Sequence, residues 1–461
     1  MKTGLKWSCI SAASLMFTAL LALAPSAYAV PSFARQTGLP CSSCHTTIPE
    51  LTPFGRLFKL NGYTTTTLPQ ITEKGGGGGR TGVNIANFLP LSAFIELSNT
   101  QLQKPQPATQ NGNFELPQQA SLFLAGAFSN HIGGFVQVTY NGQADHFSWD
   151  NTDVRISNVS KFAGKTLVYG LTVNNNPTVE DLWNDTPAWS FPFVSSDVAP
   201  GPVAGALIDG TLAQDVAGAG AYAMWNDHLY GAITGYRSEH LGSTQPNAGT
   251  ADGTPAGAPL AFNIRGLAPY WRLAWQQTKG NNYLEVGSYG IHTNSTPGAI
   301  IGPHDAYTDV AGDFQYERVF PSLHNDLLTV HGTYIHEASK LTATFADAAA
   351  DLVPHTLQTV RGDATYHFGN RYAATAGAFQ TTGTVDPTLY GSGTAVTGSS
   401  TGDPKTNGYI ANFSYWPVQN VQLGLQYTGY LKFNGASKNY DGLGRNANQN
   451  NSVYMVVWIV F

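Results

Sequence analysis

"NVQLGLQYTG", residues 420 to 429, decides the fold. Val421, Leu423, Leu425 and Tyr427 fall on one side of an extended chain, and Gln422, Gln426 and Thr428 on the other. Alternation with a period of two marks a strand whose two faces meet different surroundings. The pattern recurs. In "TLVYGLTVN" (166 to 174), Leu167, Tyr169, Leu171 and Val173 share a face. In "VAGDFQYERVF" (310 to 320), Val310, Phe314 and Tyr316 oppose Asp313, Gln315 and Glu317. Sixteen such segments, give or take about two, centre near residues 90, 124, 137, 155, 170, 220, 233, 270, 287, 314, 331, 361, 376, 412, 426 and 456.

The connections are a second, independent signal. Tight turns carry "SNHIGG", "WNDH", "TKGNN", "FGN" and "WPVQN". Between them lie long Pro/Gly/Asn-rich stretches, among them 174 to 212, 239 to 261, 382 to 405 and 434 to 450. Short and long connections alternate, as the two rims of a membrane barrel require. Charged residues make up only 11% of the chain and aromatics 12%, with 50 glycines. No stretch after residue 29 carries the roughly 18 apolar residues of a spanning helix. The chain closes on "SVYMVVWIVF", an apolar strand ending in an aromatic. A soluble β-sandwich would account for any one of these strands but not for the set. The expected fold is all-β: a transmembrane, porin-like antiparallel barrel of about 16 strands over residues 81 to 461. A short N-terminal segment, mostly helical, is expected to dock in or against its lumen. An even strand count returns both ends of the barrel to the periplasmic side, so the N-terminus is expected there.

Residues 1 to 29 read as a secretory signal peptide, with Lys2 and Lys6, the apolar run "LMFTALLALA" and the cleavage motif Ala27-Tyr28-Ala29. Of the three cysteines, Cys9 leaves with it. Cys41 and Cys44 remain, in "CSSCH", with His45 beside them. Two thiols build no disulfide framework. A zinc site would need two further ligands, and no second C-x-x-C or H-x-H pair is near. A redox C-x-x-C would head a helix in a βαβ unit, and none follows. Covalent attachment of one haem c uses all three residues: thioethers from Cys41 and Cys44, and His45 as proximal iron ligand.

The haem segment, residues 30 to 63, is too short to bury a core unaided. Residues 64 to 80, Thr-rich and then "GGGGG", read as a flexible tether to the barrel. The segment offers no second histidine, and the methionines beyond the signal are Met224 and Met455, both in expected strands. The sixth iron position is therefore open, weakly filled, or filled from the wall. Strand parity turns His331 and His367 toward the lumen, as candidate distal ligands or as ordinary lumen polar groups. In "FGRLFKL", Arg56 and Lys59 are candidate partners of the haem propionates or plain surface cations.

Residues 31 to 63, "PSFARQTGLPCSSCHTTIPELTPFGRLFKLNGY", resemble the fused outer-membrane monohaem cytochrome c–porins of iron-oxidising bacteria. Cys41, Cys44 and His45 match that family's haem motif. The flanks "FARQTG" and "LTPFGRxFKLxGY" are more specific than C-x-x-C-H alone. The rest of the chain matches in length and architecture. The resemblance implies one haem c joined to a porin-like barrel. Such a protein oxidises extracellular Fe(II) and passes electrons inward to a periplasmic carrier, a cytochrome or a copper protein.

Removing the signal takes the formal charge from −6 to −8, because Lys2 and Lys6 go with it. Glu180, Asp181 and Asp185 lie in a long stretch, 174 to 212, without Lys or Arg. Asp313 and Glu317 share a strand face. Such carboxylates would attract a hard divalent cation, or else bind calcium and magnesium beside lipopolysaccharide. No basic patch points to nucleic acid. Outer-sphere electron transfer needs no acid, base or nucleophile, and no such constellation is present. Three function classes stay open. One is an electron conduit for Fe(II) or another external donor. The others are a solute porin with a haem plug or sensor, and a haem enzyme of the peroxidase type.

Overall fold

The computed structural model describes residues 31–65, 72–74, 82–84, 90–183, 195–210, 212, 215–238, 263–297, 302–391 and 395–461. The signal segment, most of the tether and Asp185 lie outside the described residues.

Sixteen strands close into one antiparallel barrel. In chain order they are β1 (Leu91–Leu102), β2 (Asn113–Ala127), β3 (Ile132–Asn141), β4 (His146–Phe162), β5 (Lys165–Asn174), β6 (Val216–Trp225), β7 (Leu229–Ser238) and β8 (Ala268–Lys279). The second half is β9 (Asn282–Ser295), β10 (Asp305–Phe320), β11 (Asp326–Lys340), β12 (Pro354–Phe368), β13 (Tyr372–Gly383), β14 (Thr406–Val418), β15 (Val421–Lys432) and β16 (Ser452–Val460). Each strand pairs with its sequence neighbours, and β16 closes on β1 through pairs from Ser452↔Leu102 to Val460↔Phe94. All but one of the expected centres fall inside a strand; residue 90 stands one position before Leu91. The barrel thus begins ten residues later than the expected 81. Within the expected tether and just after it, Thr72–Lys74 pairs with Gly82–Asn84 in a separate two-stranded ribbon.

Closure leaves no strand edge, which a sheet in lipid demands. Side chains then sort by parity. Leu171, Val173, Ile233, Leu273, Val310 and Leu425 are exposed on the outer face, Ile233 by 63%. Gln422, Gln426, Thr234, Arg272, Glu285 and Gln315 are buried on the inner one. An apolar belt around the whole outer wall, with a polar interior, is the surface of a barrel that sits in lipid. One rim carries short turns, at 163–164, 226–228, 280–281, 369–371 and 419–420. The other carries the long connections, the hairpin at 142–145 excepted. Leu91 and Val460 both lie at the short-turn rim, so the N-terminal segment enters the lumen there.

That segment is helical: α1 (Ser32–Thr37), α2 (Cys41–Cys44) and α3 (Pro53–Leu60). It is pinned to the wall at both ends. Ser32 Oγ and Gln36 Nε2 donate to the Ala125 carbonyl, at 2.6 and 2.9 Å. Tyr63 donates through its hydroxyl to Asp153 Oδ2 at 2.6 Å, and Thr64 Oγ1 to the Asn130 carbonyl at 3.2 Å. Phe33, Phe58 and Tyr63 form an aromatic cluster with Phe135 of β3. So few residues hold a fixed shape because the barrel supplies the other half of their core.

The described parts of the connection between β5 and β6, expected outside, fold inward. Asn176 caps the short helix α4 (Pro177–Glu180). Leu182 and Trp183 are buried among lumen residues, with Trp183 Nε1 donating to the Tyr283 hydroxyl at 2.6 Å. Farther along, Leu207 N and Ile208 N donate to Glu337 Oε2 and Asp309 Oδ2, at 2.6 and 2.7 Å.

Candidate functional site

The C-x-x-C-H stretch is shaped by the residues just after it. Thr52 receives the Gly55 amide at 3.1 Å as the N-cap of α3, and Pro53 follows at the first helical position. Thr52 N also donates to the Cys44 carbonyl at 2.9 Å, and its hydroxyl to the Ser43 carbonyl at 2.6 Å. A side chain at Gly55 would put its Cβ 2.2 Å from the Cys44 oxygen, so only glycine lets α3 pack on the motif. The "LTPFG" flank is therefore the support of the C-x-x-C-H turn.

Cys41, Cys44 and His45 line one cavity of about 330 Å³ between the plug and the wall. Plug residues Phe33, Leu39, Ile48 and Phe58 line it, and across from them Phe94, Phe123, Phe135, Trp458 and Val460 of β1, β2, β3 and β16. Phe94 and Trp458 meet edge to face at 5.0 Å. His45 Nδ1 is 3.3 Å from the carbonyl oxygens of both Pro49 and Glu50. Carbonyls only accept, so Nδ1 carries the proton and Nε2 is left with its lone pair. Two thiols at fixed spacing, an imidazole held by the Pro49 and Glu50 carbonyls and a mostly apolar aromatic slot are the parts a haem c requires, and they fit it. Burial pushes the Cys44 thiol up to about 11, with Cys41 adding to the effect, so Cys44 is no poised thiolate nucleophile.

The expected partners distribute differently. Arg56 does not face this cavity: its Nη1 lies 2.7 Å from Glu317 Oε1, and its guanidinium sits 4.4 Å from the centre of the Tyr283 ring. It holds the plug to β9 and β10, and the propionate role expected of it gives way to that pair. Lys59 lines the cavity but donates its ammonium to the Asp181 carbonyl at 2.6 Å. His331 faces the lumen as parity requires, between two carboxylates: Nε2 is 2.9 Å from Glu50 Oε1 and Nδ1 3.1 Å from Asp363 Oδ1. It does not line the apolar cavity. His367 is buried and also faces in, but borders a second, more polar cavity of about 430 Å³, shared with Cys41, Ser42, His45, Thr46 and Arg371. No methionine, and no histidine other than His45, is among the described residues lining the apolar cavity. Met455 points outward, 46% exposed, and Met224 is buried in a separate cluster.

Of the acids expected to draw cations, Glu180, Asp181, Asp313 and Glu317 are buried and have partners, and Asp185 lies outside the described residues. Glu180 receives the Thr234 hydroxyl at 2.8 Å and the Tyr236 hydroxyl at 3.0 Å. Arg272 binds Asp181 at 3.1 Å, Glu285 at 3.2 Å and Asp313 at 2.6 Å, between the rings of Trp183 and Tyr289. Glu317 belongs to Arg56. Among the described residues no three His, Cys, Asp or Glu side chains are arranged to hold a metal ion. Sequence reading passed over Arg155, Arg272 and Glu50, the residues that organise this interior. Arg272, alone among apolar neighbours in "PYWRLAW", carried the one local signal: a charge on the lumen parity of its strand.

No family model matches the chain, and no curated protein does. Solved structures similar to it include OmpF of Salmonella typhi in complex with daunomycin (13% identity, TM-score 0.45, covering 81% of this chain and 98% of that one). The anion-selective porin of Comamonas acidovorans follows at 10% identity and TM-score 0.45, covering 80% and 98%. The outer membrane channel DcaP of Acinetobacter baumannii has 11% identity and TM-score 0.46, covering 80% and 96%. The fold assignment rests on the strand pairing of this chain itself.

Proposed function

We propose that this chain is an outer-membrane electron conduit of the fused cytochrome–porin type, oxidising extracellular Fe(II) and passing single electrons to a periplasmic acceptor. One observation carries the reading: Cys41, Cys44 and His45 line a single apolar cavity between plug and wall, with His45 Nδ1 bound to two carbonyls. Bound there, a haem c would supply reversible one-electron transfer. Cys41 and Cys44 would anchor it, His45 would ligate the iron, and Phe94, Phe123 and Trp458 would keep water from the slot. The overall exchange would take one electron from Fe(II), leaving Fe(III), and give one electron to the acceptor, with no bond made or broken. The outer membrane is an insulator with an apolar band about 25 Å tall, and a redox group inside a lumen shortens the path across it.

A solute porin is compatible with the same barrel. The plug and the described part of the connection after β5 are each fastened to the wall by a buried ion pair, which favours a conduit over a diffusion channel. Stopped-flow mixing of the purified haem protein with Fe(II) tests the proposal. The expected result is reduction of the haem on the timescale of mixing experiments at some pH where the protein is folded. Reduction by a different external donor, with none by Fe(II), would overturn the donor; solute-dependent conductance without haem reduction would favour the porin.

A further inference from the structure

The two carbonyls that orient His45 belong to a turn, residues 46 to 50, that is neither helix nor strand and is closed by an isolated bridge between His45 and Leu51. Glu50 N donates to the Thr47 carbonyl at 2.7 Å and Thr46 N to the Glu50 carbonyl at 3.2 Å. The side chain of Glu50, 2% exposed, ties this turn to the barrel wall. One of its oxygens receives the Thr46 hydroxyl and the other lies 2.9 Å from His331 Nε2. His331 is itself held. Register places it directly across from Asp363 on β12, both on the lumen face, and its Nδ1 is 3.1 Å from Asp363 Oδ1. An unbroken chain of contacts therefore runs from the barrel wall, Asp363 to His331 to Glu50, and ends at the acceptors of the His45 ring. A second tie supports the same turn: Arg56 Nη1 donates to the Leu51 carbonyl at 2.7 Å while pairing with Glu317.

We infer that His331 is a positioning residue for the proximal ligand: through Glu50, the barrel wall fixes the orientation and basicity of the His45 imidazole. The inference rests on the reading that His45 ligates a haem. An N–H···O=C bond on Nδ1 makes the imidazole a stronger donor at Nε2, and such outer partners are worth tenfold or more in metal affinity or activity. A stronger donor favours the oxidised iron. On this view the reduction potential is a property of the assembled barrel and not of residues 31 to 65 alone.

The test uses the full-length holoprotein and three variants. Glu50→Gln/His331→Gln removes both charges together, so neither is left bare. Asp363→Asn keeps the contact between Glu50 and His331 and weakens only the outer bond. His355→Gln is the control: His355, at the start of β12 on the long-connection rim, forms a buried pair at 2.9 Å with Asp386 of the connection after β13, away from the plug. Haem stain on denaturing gels reads attachment, and redox titration with resonance Raman of the iron–histidine stretch reads positioning. All variants keep the stain. At a fixed poise the double variant should shift the haem Fe(III)/Fe(II) ratio about tenfold toward Fe(II), which is about 59 mV for one electron. Asp363→Asn should move it less, in the same direction, and His355→Gln not at all. A double variant that titrates with the parent overturns the inference. Should that variant fail to fold, an unchanged potential in Asp363→Asn does the same. Absence of stain in the parent would instead remove the haem reading, a distinguishable outcome.

Discussion

The lumen has two walls of opposite character. Around β1, β2, β3 and β16 the plug faces Phe94, Phe123, Phe135, Trp458 and Val460 across an open cavity. Around β10 and β11 it meets Glu317 and His331 through Arg56 and Glu50, and the contact is made of ion pairs. The first wall has room for a flat apolar group and holds the plug by hydrogen bonds alone, from Ser32 and Gln36 to the Ala125 carbonyl. The second adds ion pairs to the plug. Directional contacts on both sides set the plug's position, so the space between can stay unfilled by protein without the plug settling into it.

The sharpest way to break the comparison is to remove what the apolar wall is proposed to receive. Cys41→Ala with Cys44→Ala should abolish haem staining on a denaturing gel completely, while the barrel still folds and inserts. Staining that survives in this double variant would leave the apolar cavity without its occupant. On the charged wall, Arg272→Gln should give the next largest effect. It leaves Asp181, Glu285 and Asp313 buried together without their shared cation. Breaking a buried pair from one side costs about 3–5 kcal/mol. Urea unfolding in detergent micelles, followed by gel mobility, should show a clear fall in midpoint. A midpoint within error of the parent would mean that water reaches those carboxylates.

The two walls also differ in how far the sequence announced them. Strand existence and parity were legible because lipid and lumen impose alternation residue by residue; Val310 out and Asp313 in follow from "VAGDF" alone. The C-x-x-C-H motif was legible because its chemistry is local. What was not legible is anything that depends on a loop's direction. Residues 174 to 212 read as external because a Pro/Gly/Asn-rich connection looks the same whether it points to solvent or folds back. Its acids, Glu180 and Asp181, find cations carried on strands far away in sequence, Arg155 and Arg272. Arg56 reads from sequence as a propionate partner or a surface cation and His331 as a lumen-facing group, but their partners Glu317 and Glu50 are long-range contacts. Parity says which way a side chain points and not what it meets.

Lys59 sits between the two walls and supplies a pH-dependent test. It is fully enclosed, and burial, with Arg155 nearby, brings its ammonium down to about 7 from an ordinary 10.5. Between those values the unfolded chain binds a proton that the folded one does not, so stability rises with pH across that window. Below pH 7 both states are charged and the folded one bears the full cost of burial. Lys59→Met should therefore hold the plug more firmly than the parent at pH 7, by on the order of 1–3 kcal/mol, with the gap narrowing toward pH 10. Urea midpoints of the near-ultraviolet dichroism of the Phe33–Phe58–Tyr63 cluster, taken at pH 7, 8.5 and 10, measure it. A gap that is constant with pH would mean the lysine is solvated.

The smallest expected effect concerns attraction of the cation itself. Exposed carboxylates would raise the encounter rate of Fe(II) in a salt-dependent way, since their field extends about 10 Å at 0.1 M salt. Glu180 is not of that kind. It is 1% exposed, and hydroxyls of Thr234 and Tyr236 satisfy its oxygens. Arg155, whose Nη2 donates to the Glu180 carbonyl at 2.6 Å, places a cation beside it. Seen from outside the barrel, charge and countercharge nearly cancel. Glu180→Gln should therefore change the second-order rate of haem reduction by Fe(II) less than twofold, with the same slope against ionic strength as the parent. Burial makes the opposite outcome informative: a rate that falls and a slope that flattens would require the connection to swing outward during turnover, exposing Glu180 and Asp181 to the donor. The charged wall would then hold the plug while releasing the loop above it.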